Sequence, residues 1–141
     1  MRLLERRFRI RAPLESVWAH LARVDSWPTW AKHIRRVELV PSGPLAVGSR
    51  GTIRLRNGIV STFEITEIEP WVRWIWSGPF LWLTVDYDHR FERVEAGVTD
   101  VVFQVDGHGF AVSLFGRLFA AVYAGHLDRA IPNLVRELEG R

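Results

Sequence analysis

The sequence predicts an α+β domain, an antiparallel meander of strands covered on one face by helices, and three observations predict it. The stretch from Ala111 to Arg141 carries small or apolar residues at three- and four-residue steps, the spacing that lines one face of a 3.6-period helix. From Ile34 to Asp106 the chain reads instead as short runs of β-branched and aromatic residues, bounded by Gly, Pro and Asn. The connections between these runs are too short to hold a crossover helix, so consecutive strands must pair antiparallel.

At 141 residues the chain suits one domain with one substantial core. Its 48% hydrophobic content is that of a globular protein, and its seven Trp and eight Phe suit a wide core or an apolar pocket. With no Cys there is no disulfide, thiolate-zinc site or cysteine nucleophile. The N-terminus, Met1-Arg-Leu-Leu-Glu-Arg-Arg, is charged where a signal peptide needs an apolar run, and no window is long enough to span a bilayer. A cytoplasmic protein without stable membrane insertion is expected. The formal net charge is only +3, and its 19 basic residues are all Arg except Lys32, which reads as a solvated, ion-paired surface rather than a nucleic-acid footprint.

Taken in order, residues 3–10 alternate, with Leu4, Phe8 and Ile10 opposite Glu5, Arg7 and Arg9, as a half-buried strand does. Ala12-Pro13 opens a helix with the stripe Val17, Trp18 and Leu21. Asp25-Ser-Trp-Pro-Thr-Trp30 stops it, and Pro28 begins a second short helix ending near His33. Strands follow at Ile34–Val40, closed by Pro41-Ser-Gly-Pro44, and at Gly48–Arg56, closed by the hairpin pair Asn57-Gly58. Further strands are Ile59–Ile68, Val72–Trp76 up to Ser77-Gly-Pro79, Leu81–Arg93 and Val98–Asp106. Gly107 and Gly109 precede the closing helix, whose stripe is Gly116, Ala120, Ala124, Leu127, Ile131, Leu134 and Leu138, with a bend expected before Pro132.

This order resembles the helix-grip or START-like superfamily, and within it the polyketide cyclase/dehydrase and lipid-transport group. The matching residues are Ala12-Pro-Leu-Glu-Ser-Val-Trp18, Asp25-Ser-Trp-Pro-Thr-Trp30, Ile65-Thr-Glu-Ile-Glu-Pro70 with Trp74-Ile-Trp-Ser-Gly78, His89-Arg-Phe-Glu92 and Leu114-Phe-Gly-Arg-Leu118. The resemblance implies a curved seven-stranded sheet gripping the last helix, with an elongated apolar cavity between them. Members range from carriers to cyclases, so it implies no single activity.

Strand alternation places Leu83, Val85, Tyr87 and His89 on the inward face of their strand, Val72, Trp74 and Trp76 on theirs, and Phe103 beside Val101 and Val105. Ile59, Ser61, Phe63 and Ile65 form a further inward set, as do Ile53 and Leu55. Of these, Ile53, Leu55, Ser61, Phe63, Trp74, Trp76, Leu83, Val85, Tyr87, His89 and Phe103, with Trp27 and Trp30 from the helical lid and Leu118 from the last helix, form the expected wall for a small hydrophobic ligand. The same rings also serve as ordinary core. His89 and Tyr87, the polar members of their face, are the candidates for proton transfer, and His89 reads equally as an interior imidazole bonded to a carbonyl. His20 is expected at the surface, His108 in a Gly-rich hinge and His126 on the far side of the last helix. Asp86 and Asp88 point outward, no His and acid set has metal-ligand spacing, and Gly107-x-Gly109 lacks a phosphate-cradling context, so no metal and no cofactor is expected.

Leu114, Phe115, Leu118, Phe119 and Val122 form a second apolar stripe on the last helix, to pack at the pocket rim, join a homodimer or touch a membrane surface. Three readings of function remain. One is a carrier of a hydrophobic ligand, one a polyketide cyclase or dehydratase using His89 or Tyr87, and one a co-chaperone-like protein-interaction module.

Overall fold

In the computed structural model, which describes residues 1–140, β1 (Arg2–Ile10) leads into α1 (Leu14–Ala22) and a 3-10 helix (Val24–Thr29). Six strands follow, β2 (Ile34–Val40), β3 (Arg50–Leu55), β4 (Val60–Glu69), β5 (Arg73–Phe80), β6 (Leu83–Glu95) and β7 (Val98–Gly109), and α2 (Val112–Glu139) closes the chain. The strands form one sheet in the order β1-β7-β6-β5-β4-β3-β2, antiparallel throughout. β1 joins β7 at one edge and the meander ends on β2 at the other. Register shifts at Arg2/Leu4, Ile34/Arg36, Ile65/Glu67 and Arg93/Glu95 each add twist, and together they curl the sheet around α2.

α2 is tied down along its length. Gly116 lies against Leu3, where a Cβ would come within 2.5 Å of a Leu3 methyl. The Arg6 guanidinium donates to Asp128 at 2.7 Å, Asn133 donates to the Trp30 carbonyl at 3.1 Å, and the Arg11 N–H donates to Glu139 at 2.9 Å. The exposed ion pair adds little, about 0–1 kcal/mol. The apolar seam of Leu127, Ala130, Leu134 and Leu138, all buried, carries the packing.

The expected stripe on α2 is turned by about one position at its start. Phe119 is buried, whereas Ala120 and Ala124 are half-buried, because Phe119 meets Phe80 edge-on at 5.0 Å and so needs the inward place. The helix begins at Val112 and continues through Pro132. Pro28 lies inside a 3-10 helix that ends at Thr29, rather than starting a second short helix that reaches His33. β5 runs through Ser77-Gly-Pro79 to Phe80. Pairing to β4 has ended at Ser77, so a residue without an N–H is tolerated at Pro79, and the turn falls on Leu81 at φ 55°. Val72 and Ile59, expected inward, are 44% and 57% exposed because each sits in a connection beyond its strand. β7 reaches Gly109, which puts His108 in the ladder opposite Thr84 rather than in a hinge.

One glycine is required by packing. The Phe63 ring lies on the β3 backbone at Gly51, where an added Cβ would sit 2.0 Å from Cζ, and it stacks on Trp76 at 4.1 Å. Gly51→Ala should therefore push Phe63 off Trp76 and cost about 1–3 kcal/mol. Urea unfolding of the variant against the parent measures this; an unchanged midpoint would show that the ring has room to shift.

Candidate ligand site

The centre of the inward face is a cage of rings around His89 of β6. Trp74 stacks on the imidazole at 4.7 Å and 20°, Trp76 meets it at 4.6 Å, Phe103 at 5.5 Å and Trp27 at 5.7 Å. The ladder sets this up, since Trp74 is the cross-strand partner of His89 on one side and Phe103 on the other. His89 Nδ1 lies 3.2 Å from the Trp74 carbonyl oxygen. A carbonyl only accepts, so Nδ1 carries the proton and Nε2 is left with its lone pair. Complete burial pushes the pKa of His89 down to about 3, against the weaker upward pull of that hydrogen bond. The ring is therefore a neutral acceptor across the physiological range.

Trp27, Trp30, Tyr87, His89 and Phe103 line one cavity with Tyr123 and Leu127 of α2, and its volume of about 30 Å³ is that of a water molecule or so. Trp27 donates its indole N–H to the Leu21 carbonyl at 2.8 Å, while the buried indole N–H groups of Trp30 and Trp74 meet no acceptor. Tyr87 and Tyr123 face each other with ring centroids 5.8 Å apart, and desolvation raises both phenol pKa values well above the usual range. Both remain half-buried, so they sit deep in the molecule beside space that water reaches.

The other expected wall residues are distributed differently. Phe63, Trp74 and Trp76 back the cage, and Leu83 and Val85 are core. Ile53, Leu55 and Ser61 are half-buried on β3 and β4, apart from the cavity around His89. Leu118 is 53% exposed and turns away from the interior, because the inward place on that turn is taken by Phe119.

A larger space lies on the other side of the 3-10 helix. This groove of about 990 Å³ runs between α1, the 3-10 helix, β2, the β2–β3 connection and the end of β4. Trp18, Val24, Val37, Leu39, Leu45 and Ile68 provide its apolar walls, and Arg23, Asp25, Arg36 and Glu38 line it as well. Trp74 separates the two spaces, stacked on His89 at one face and edge-on to Trp18 at 5.2 Å. Sequence reasoning missed the groove because it is formed by a connection, 41–49, whose Pro and Gly mark a turn and say nothing of what it overhangs.

Two histidine expectations are corrected. His126 stacks on His33 at 4.2 Å and 9°, joining α2 to the residue ahead of β2, and Arg129 donates to its Nδ1 at 3.2 Å. Desolvation, then the charges of His126 and Arg129, lower the His33 pKa to about 4; desolvation, then Arg129, lowers that of His126. His20 is buried and donates Nε2 to Glu137 at 3.0 Å, since the last turns of α2 pack over α1. On the outer face Asp86 accepts from Ser77 and from His108, and Asp88 from Arg90. Among the described residues no three His, Cys, Asp or Glu side chains converge as a metal site requires, and no helix is long and apolar enough to cross a membrane.

A sheet wrapped on a long C-terminal helix, with aromatic space between them, defines the helix-grip class. The family model for polyketide cyclase / dehydrase and lipid transport matches residues 1–139, and the chain belongs to that family. The fold is similar to a solution structure from Thermobifida fusca, with a TM-score of 0.77 at 15% identity over 96% of this chain and 91% of that one. A hypothetical protein of Helicobacter pylori gives 0.75 at 14%, covering 95% and 86%. The Zhui aromatase/cyclase of Streptomyces sp. R1128 gives 0.72 at 17%, covering 96% and 92%. At these identities the likeness is one of fold. No curated protein matches the chain in sequence.

The buried imidazoles set a pH dependence. Because the folded pKa of His89 is depressed from 6.5 to about 3, the unfolded chain takes up its proton first as pH falls. Stability is full above pH 6.5 and declines below it, by about 1.4 kcal/mol per pH unit for each fully buried group, with His33 adding less because it is half-buried. His89→Gln should flatten the decline between pH 6.5 and 4.5 in urea titrations; parallel curves for parent and variant would contradict the assignment.

Proposed function

We propose that this chain binds a small hydrophobic ligand between its sheet and helices and holds it without chemical change. The observation that carries this reading is the groove behind α1, which has the volume of a ligand pocket and a largely apolar floor, backed by the ring cage around His89. The apolar body of the ligand occupies the groove walled by Trp18, Val37, Leu39, Leu45 and Ile68, and transfer from water contributes about 25 cal/mol per Å² buried. The cage of Trp74, Trp76, Phe103 and Trp27 around His89 forms the inner boundary of that site, and the small cavity beyond it has room for a water that donates to His89 Nε2.

Polyketide cyclisation or dehydration is the second reading, supported by the lone pair that His89 carries inside an aromatic cage, with the Tyr87 hydroxyl as donor. Proximity within a folded poly-β-keto chain then supplies most of the rate. A base whose pKa is about 3 removes protons poorly near neutrality, which favours binding over chemistry.

Native mass spectrometry of freshly purified protein should show a co-purifying apolar molecule. Titration with the fluorescent fatty acid cis-parinaric acid then separates the readings. Leu39→Trp, which fills the groove, should weaken uptake at least tenfold (about 1.4 kcal/mol) with little change in melting temperature, and His89→Gln should change it by less than about tenfold. Protein that carries no ligand and takes up no probe overturns the proposal. Loss of turnover of a poly-β-keto substrate in His89→Gln, with binding intact, would select the cyclase.

A further inference from the structure

The N-terminal half of α2 presents apolar surface that the ligand site does not use. Leu114, Leu118 and Val122 succeed one another at four-residue steps and are exposed by 67%, 53% and 58%, and Phe110, in the turn ahead of the helix, is exposed by 76%. The β5–β6 turn extends this row. Leu83 pairs with Gly109, which sets the turn beside the start of α2, and Trp82, itself 66% exposed, packs its ring on Phe115 at 5.0 Å. Leu81 beside it is 58% exposed. The patch is thus continuous across two elements and braced by a ring contact.

We propose that this patch is the interface of a homodimer, in which α2 of one protomer packs on α2 of its partner about a two-fold axis. Three observations select a second copy as the occupant. The first is area: at exposures from 53% to 76%, these six side chains leave roughly 800 Å² of residue surface in water, which is the per-partner area of a standard interface. A typical monomer exposes smaller patches, of about 300–600 Å². The second is charge. Between Gly107 and Leu127 the sole Lys, Arg, Asp or Glu is Arg117, whereas an anionic bilayer is held by clusters of basic residues.

The third is shape. Ser113 and Ala121, small and exposed, flank the row and let another helix approach closely. A two-fold axis near Leu118 sets Leu114 of each copy against Val122 of the other, so the row is complementary to itself. The dimer brings the two β5–β6 turns to the same side and covers Trp82, the most exposed Trp of the chain.

Sedimentation velocity of the full chain at micromolar concentrations is the test. The parent should sediment at twice the chain mass. Leu118→Glu, which puts two carboxylates at the axis, should raise the dissociation constant about a hundredfold while leaving the far-ultraviolet circular dichroism and melting temperature unchanged. Val94→Glu, a control on an exposed apolar residue of β6 outside the patch, should remain dimeric. A monomeric parent overturns the proposal, and so does a dimer that survives Leu118→Glu. A monomer that floats with phosphatidylserine/phosphatidylcholine vesicles through Leu118 also overturns it, and assigns the patch to a membrane surface.

Discussion

The contact on which the interior depends is the cross-strand pair of Trp74 and His89. Their strands place them opposite one another, the Trp74 carbonyl takes the Nδ1 proton, and the indole face covers the imidazole. The backbone hydrogen bond therefore sets the tautomer of this buried ring, and desolvation keeps it neutral. Trp76, Phe103 and Trp27 then pack against a neutral group rather than an ion. A charged imidazole here would lose its hydration without gaining an anion, since no acid shares the inward face. The same Trp74 ring forms the partition between the inner cavity and the groove behind α1, so a single residue bears on stability, electrostatics and the division of space.

Around this pair the fold works as a clamp with two ends. At one end α2 is fastened through Asn133, Glu137 and Glu139 to the 3-10 helix, α1 and the end of β1. Near its middle the His33–His126 stack joins it to the residue ahead of β2. At the other end it rests on Leu3 and on the rings of Phe80 and Tyr87, and its outer row is left to solvent. The interior is nearly solid beneath the helix and open behind α1. A ligand of ordinary size is therefore accommodated on the α1 side, with the cage around His89 as the inner boundary.

Much of this was legible beforehand. Period-two alternation on Leu83–Phe91 separated Tyr87 and His89 from Asp86 and Asp88, and the structure has the first pair beside the cavity and the second in an outer ion-pair network. The Asn57-Gly58 turn and the order of strands were readable from local chemistry alone. Less legible was the orientation of α2: small residues suggest close approach, but Phe119 took the inward position because Phe80 and Tyr87 offered it a ring-lined place. The pairings His33 with His126 and His20 with Glu137 join residues from opposite ends of the chain, and no local pattern announces them.

The sequence by itself determined which elements form and which face of each strand is apolar, because dihedral preference, turn chemistry and side-chain alternation act between near neighbours. Only the tertiary structure decided how full the interior is, that a groove opens behind α1 and which side of α2 is left uncovered. Those depend on how rings from distant segments share one volume, and the room that remains after they do so is a property of the packing and not of any one stretch of chain.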